Sequence, residues 1–516
     1  MRRRIDAALL ALAACVAMGL VFWPLFSATY PPMTDLPFHA AQTSAFRHFW
    51  DDAYHYRDQF ELRPIAVPYM SSYVLGALLM LVFSTTTAIK LATGLMLLLL
   101  PAGLATLAWG MRKSPLLGML GVPFAWGHLT HWGFINFVAA LGLFAMAAGL
   151  SLRALDVPSR RTEATLAGVL VVLFFTHVFR YPFAVAAVLG AAVITYPVHK
   201  RIRPVLWPLV PSLVLFTIFW FIRPKALVGG VGPLEIQPAR WGELFGSLVD
   251  GFSDPAEARM AERHGWVVLA GGAIALVAWI ARLRERPRVE IKLAALTTLL
   301  PLGSALVFLI MFLTLPMEIG GWWYVYPREA TAAAFLLMGI FPDLPEPLWA
   351  RVTLIGAIAL SSFGISDVVA RNYRAFDATT RDFTAISEQI PQAPKLLYLV
   401  FDHEGSTRTT TPYIHLPAWI QAEKGGWLSF HFSLMGASPL LYRKDAEAIV
   451  PPDVPVRWEW TPERFNEREQ APYFEWFLVR RDRDPQKLFR ADPEITFVAH
   501  NGSWWLYKRK KPGPDP

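Results

Sequence analysis

The chain has 516 residues, 54% of them hydrophobic and 17% charged, with a mean hydropathy of +0.36. A soluble globular protein carries about 25% charged residues, so this composition excludes an ordinary cytosolic enzyme, and equally a disordered or fibrous chain. Of the net charge of +8, residues 370–516 contribute almost nothing, with 20 Lys and Arg against 19 Asp and Glu; a nucleic-acid binder would gather its excess on a soluble face, and no nucleic-acid partner is expected.

Met1–Arg4 precedes an apolar stretch from Ala7 to Phe26. That is long for a signal-peptide core and reads as an uncleaved first helix. The single cysteine, Cys15, lies inside it and leaves no basis for a disulfide or a Cys-based metal motif. Further apolar runs lie near 69–84, 88–110, 115–127, 134–152, 163–178, 182–198, 205–222, 265–281, 292–314, 329–341 and 348–366. The run 69–84 falls short of the roughly 20 residues a span needs. If it only dips into the outer leaflet, Arg2–Arg4, Arg112–Lys113, Arg153–Arg161, Lys200–Arg203 and Arg282–Lys292 all face the cytoplasm, as the positive-inside rule requires. The expected architecture is an α-helical polytopic membrane protein of about 11 spans, N-terminus inside, with a small C-terminal α/β extracytoplasmic domain. Residues 1–368 form the membrane module, with its first outer loop at 28–68, and residues 369–516 form the outer domain.

This arrangement puts eleven of the twelve histidines, all but His199, at or beyond the outer surface. The first outer loop contains Pro31-Pro32-Met33-Thr34-Asp35-Leu36-Pro37-Phe38-His39-Ala40. Phe38, Ala41, Ala45 and Phe49 recur at helical spacing, which predicts an amphipathic helix along the interface from Leu36 to Asp52. Asp35 stands at its start, with His39 one turn on. The plain reading is that Thr34 or Asp35 caps this helix; the sharper one is a carboxylate with work to do.

The second outer loop, Gly127-His128-Leu129-Thr130-His131-Trp132-Gly133, carries two histidines three apart. They suit a polar substrate pocket, or a metal if His39 or His177 joins them. In the third, His177 and Arg180 flank a short turn. The planar fork of Arg180 suits a phosphate, against plain snorkelling to the interface. A later loop reads Glu318-Ile319-Gly320-Gly321-Trp322-Trp323-Tyr324-Val325-Tyr326-Pro327-Arg328-Glu329. Its aromatics Trp322, Trp323 and Tyr324 suit sugar rings, Glu318 a sugar hydroxyl, and Arg328 an anion. The alternative is an aromatic belt, with Arg328 and Glu329 paired to each other.

The order of these pieces resembles the GT-C superfamily of membrane glycosyltransferases, which use sugars linked to polyprenyl phosphate. The resemblance rests on the first helix, the long outer loop with its early acid and interfacial helix, the short apolar segment, the basic turn, the many further spans and the outer domain at the end. The segments Pro31–Ala40, Trp132–Phe137 and Gly502-Ser503-Trp504-Trp505-Leu506-Tyr507-Lys508 look like parts of bacterial membrane proteins related to that superfamily. The resemblance implies that Asp35 is the catalytic base. Metal-dependent oligosaccharyltransferases of the superfamily carry acids in the second outer loop, where this chain has His128 and His131. The mannosyl- or aminoarabinosyl-transferase pattern, without metal or other cofactor, is therefore the nearer analogue, with a divalent metal as the alternative.

In the outer domain, Lys395–Phe401 and Phe474–Arg480 read as strands. Ile495–His500 and Trp504–Lys508 read as a hairpin about Asn501-Gly502-Ser503. Helices are expected at Phe376–Gln389 and His415–Lys424. No P-loop, dinucleotide fingerprint or Gly-x-Ser-x-Gly occurs, so this domain is expected to shape acceptor binding. The expected function is transfer of a sugar from a polyprenyl-phosphate donor to an acceptor hydroxyl on a lipid, glycan or protein, at the outer face of the inner membrane among its lipids. The rivals are a transporter or flippase of a lipid-linked glycan, and a non-catalytic membrane scaffold.

Overall fold

The computed structural model describes residues 2–224, 232, 234–249, 251–252, 254–320, 322–404, 410–435, 438–446 and 458–510. Among them, eight helices are long and apolar enough to cross a membrane: Ile5–Leu25, Thr85–Gly110, Ile135–Asp156, Tyr181–His199, Arg203–Ile222, Pro255–Ala281, Arg288–Thr314 and Leu348–Thr379. The chain is a multipass membrane protein.

The other three of the eleven expected spans are shorter pieces. Arg160–Thr176 is a 17-residue helix, about 25 Å long. The run 115–127 is two 3-10 segments, Pro115–Gly121 and Pro123–Trp126, whose prolines and glycines disfavour a regular α-helix. The run 329–341 is the helix Val325–Leu337 and a 3-10 turn at Met338–Ile340. The nine-residue helix Ser71–Leu79 is about 14 Å long, under half of an apolar layer of about 30 Å.

Contacts sort the loops to two ends. At one end Arg112 grips the Asp156 carboxylate with Nε at 2.9 Å and Nη2 at 2.5 Å, and Arg153 and His199 approach the same group. There too Lys113 donates to the carbonyls of Gly339 and Phe341, and Arg351 pairs with Asp6 at 2.9 Å. At the other end lie Asp35, His131, Arg180 and the C-terminal domain. The three short pieces each run between these two ends.

The tightest helix pair is Thr85–Gly110 on Ile135–Asp156. A Cβ on Gly103 would stand 2.2 Å from the Gly142 carbonyl oxygen, and one on Gly110 would stand 2.1 Å from that of Gly149. The backbones touch because glycines recur seven apart on both helices.

Helix Leu348–Thr379 runs on past residue 368 without a break, and a separate helix follows at Arg381–Ser387. The stretch expected as one helix, Phe376–Gln389, is thus divided between the two. The C-terminal domain holds a five-stranded mixed sheet in the spatial order Trp427–Leu428, Lys395–Val400, Trp476–Arg480, Trp504–Arg509, Ile495–Asn501. The first three strands are parallel, and the last two form the antiparallel hairpin about Gly502. The helix expected from His415 starts three residues later, at Ala418.

The domain is stitched to the segment 28–68 that follows the first helix. Phe60–Leu62 pairs antiparallel with Leu440–Tyr442. The Tyr56 hydroxyl donates to the Gln421 carbonyl at 2.6 Å, and the Gln59 amide donates to the Gly426 carbonyl at 3.1 Å. Tyr30 packs on Trp419 and Phe383. One apolar core consequently runs from Ala17 in the first helix to Leu506 in the last strand.

Candidate active site

The helix predicted over Leu36–Asp52 spans Leu36–His48. Phe38, Ala41, Ala45 and Phe49 are all buried. They meet the C-terminal domain as well as the helical core: Phe38 packs on Phe430 and Phe432. Asp35 occupies the N-cap position, yet its carboxylate makes no capping hydrogen bond, so the side chain is free for another partner. Its backbone is fixed from the second outer loop. Thr34 N donates to the His131 carbonyl at 2.9 Å, and Asp35 N donates to the Trp132 carbonyl at 3.1 Å.

Gly133 makes this approach possible. It closes the short helix His128–Trp132 at φ +90°, and a Cβ there would sit 2.8 Å from the Asp35 Cβ. Asp35 is thus wedged against a glycine that can be nothing larger without moving it.

The Asp35 carboxylate Oδ1 lies 3.1 Å from Nδ1 of His415, a residue of the C-terminal domain; the Asp35 side chain is 18% exposed and that of His415 is 6% exposed. His39, one turn along from Asp35, points elsewhere. Its Nε2 donates to the Gly133 carbonyl at 3.1 Å, which leaves Nδ1 to accept from the Tyr73 hydroxyl at 2.9 Å. Burial lowers its pKa, in keeping with a neutral ring that pins the helix to the second loop.

The two histidines of that loop diverge. His128 Nε2 accepts from Trp132 Nε1 at 2.7 Å, and its ring stacks on Tyr324. His131 is fully buried against Phe252 and Tyr373, and burial pushes its pKa down to about 3. Among the described residues no group of three His, Cys, Asp or Glu side chains is placed to hold a metal ion.

Deeper in, Arg180 forms a buried ion pair with Glu329. Glu329 thus pairs with Arg180 rather than with its neighbour Arg328. The Arg180 guanidinium lies 4.5 Å over the Phe137 ring and 4.9 Å over that of Phe308. Arg328 donates to the carbonyls of Tyr324 at 3.0 Å and Trp323 at 2.7 Å. This bracing holds the small hairpin formed by Glu318–Ile319 and Trp322–Trp323, where Tyr324 takes a left-handed φ of 61°.

Around Arg180 gathers a set of buried polar atoms without partners: Arg180 Nε and Nη1, the second carboxylate oxygen of Glu329, the Tyr69 hydroxyl, His177 Nδ1 and Trp322 Nε1. The rings of His177 and Trp322 both pack on Tyr69, at 5.2 and 5.4 Å. Unmet buried polar groups are costly and call for an occupant or a role. Most of these atoms are donors, so the occupant they suit is an anion. Trp323 is partly exposed against Trp132, and Glu318 lies exposed opposite it on the hairpin rim.

Sequence reasoning placed Asp35, His177, Arg180, Arg328 and Trp322 at this end. It missed Tyr69, Tyr73, Gly133 and Glu329, and above all His415. Local spacing ties none of these to Asp35.

Fold and site together define a multipass membrane protein with a carboxylate and a cluster of buried polar groups, most of them donors, at one end, beside a C-terminal domain. No protein-family model matches the chain, and no curated protein matches it in sequence. Among solved structures it is similar to ArnT from Cupriavidus metallidurans bound to undecaprenyl phosphate. The two are 13% identical, with a TM-score of 0.54 over 97% of this chain and 98% of that one. A mycobacterial arabinofuranosyltransferase, AftD, is 15% identical with a TM-score of 0.48, over 97% of this chain and 41% of its own. At such identities the likeness is one of fold, and the fold is the one the sequence resemblance implied.

Proposed function

We propose that the chain is a glycosyltransferase of the GT-C kind. It moves a sugar from a polyprenyl-phosphate donor to an acceptor hydroxyl at the outer face of the inner membrane, with the N-terminus inside and the C-terminal domain outside. The observation that carries the reading is the pairing of an uncapped carboxylate, Asp35, with the buried unpartnered donors around Arg180. The similar ArnT structure holds undecaprenyl phosphate, and a lipid phosphate is an anion of the kind those donors suit.

An alcohol is a poor nucleophile until a base takes its proton, and in this reading Asp35 is that base. The freed oxygen attacks the anomeric carbon as the bond from that carbon to the phosphate oxygen breaks. The bonding pair leaves on the lipid phosphate through an oxocarbenium-like state. Arg180 and Arg328, with Tyr69 and Trp322, offset the growing negative charge. Trp323, Tyr324 and His128 form an aromatic face for a sugar ring, with Glu318 at its rim. A single displacement inverts the anomeric centre. The acceptor is a hydroxyl on a lipid, glycan or protein. The polar groups gather at one end of the helices, whereas an alternating-access transporter keeps its site near the midplane; this supports transfer over transport.

The test compares wild type with Asp35→Asn in a host deleted for the gene, using mass spectrometry of glycoconjugates and polyprenyl-phosphate sugars. The wild type is expected to restore a sugar, and the variant at equal level to lack it and accumulate the lipid donor. Equal behaviour of the two proteins would remove Asp35 from catalysis.

A further inference from the structure

The outer domain reaches the carboxylate through one side chain. His415 Nδ1 lies 3.1 Å from Asp35 Oδ1 and 3.2 Å from the Thr34 carbonyl oxygen. Both neighbours are acceptors, so Nδ1 carries the proton and donates. The ring is buried, and Phe38, Phe430 and Phe432 pack around it at centroid distances of 4.7, 6.1 and 5.6 Å. Its Nε2 is sealed from solvent without a partner, which disqualifies it as a group that meets the acceptor directly. The backbone that carries it is tied on two sides. Thr411 N donates to the Thr34 hydroxyl at 3.4 Å, and Tyr413 N donates to the His403 carbonyl at 3.3 Å.

We infer that His415 is a positioning residue for the base: it holds Oδ1 of Asp35, so that Oδ2 is the oxygen presented to the acceptor. This rests on the reading of Asp35 as the base. It gives the outer domain a part in the chemical step, beyond shaping the approach of the acceptor. The other groups that face Asp35 are His39 from its own helix, Tyr73 from Ser71–Leu79 and Arg328 from Val325–Leu337. His403 lies behind His415 in the outer domain. Replacing His415 leaves all of these in place.

The test uses full-length variants in membranes of the deletion host, which supply their own lipid-linked donor and acceptor. Transfer is followed at saturating donor. His415→Phe keeps the ring packing and deletes the donor. It is expected to lower the rate about tenfold or more. His415→Asn restores a side-chain N–H near the Nδ1 position and is expected to recover most of the rate. Should the Phe variant fail to accumulate, His415→Gln, whose amide nitrogen falls nearer the Nε2 position, takes its place with the same expectation. If Asp35→Asn is inactive while the donor-deleted variant keeps the wild-type rate, or if His415→Asn recovers none of it, His415 only fastens the domain and the inference fails alone. If Asp35→Asn is as active as wild type, the base reading fails and this inference with it.

Discussion

Asp35 is defined by what surrounds its backbone as much as by its charge. Gly133 faces it at φ +90° with no room for a Cβ. Gly133→Ala therefore imposes two costs, a left-handed backbone on an L residue, about 1–3 kcal/mol, and a push against Asp35. A displacement near 1 Å at a reacting group costs on the order of 100-fold in rate. The variant is expected to lower the melting temperature modestly and transfer severely, read by thermal unfolding in detergent beside the transfer assay; normal transfer would mean that Asp35 tolerates the shift. His39 marks the limit of reading from spacing. One turn from Asp35 suggested a shared task, but both its ring nitrogens are taken by Gly133 and Tyr73. The residue that does touch the carboxylate, His415, comes from the far end of the chain. No periodicity or motif joins the two.

The spanning helices were legible because uninterrupted apolar runs have few other fates. Asp35 and Arg180 were legible because polar groups at helix ends stand out against such runs. What was not legible was the form of the shorter pieces: a run of a dozen apolar residues with proline and glycine gives no period to read, and 115–127 resolves into 3-10 turns. Nor did hydropathy reveal which helices touch. Gly103, Gly110, Gly142 and Gly149 bring two backbones into contact, and in an apolar solvent such packing, rather than the hydrophobic effect, holds helices together. Gly142→Val inserts a branched side chain where a Cβ already meets the Leu99 carbonyl oxygen at 2.1 Å. It is expected to cost about 2–3 kcal/mol or more, measured as a lower midpoint of denaturant unfolding in micelles. An unchanged midpoint would show that the pair can separate cheaply.

For the whole molecule, the two ends carry different chemistry. The Arg112–Asp156 cluster and the Arg351–Asp6 pair tie the turns of one end together, while the site and the outer domain occupy the other. The proposed orientation follows from the basic turns. A reporter active only outside the cytoplasm, fused after Lys510, is expected to be active; activity confined to a cytoplasmic reporter would invert the molecule and move the site to the wrong face for the proposed reaction.

The pairing of Phe60–Leu62 with Leu440–Tyr442 also sets a schedule. The early strand leaves the ribosome on the order of twenty to eighty seconds before its partner at the usual pace of synthesis. Throughout that interval the segment Phe60–Leu62 presents a strand edge without its partner, the kind of edge on which unwanted pairing starts.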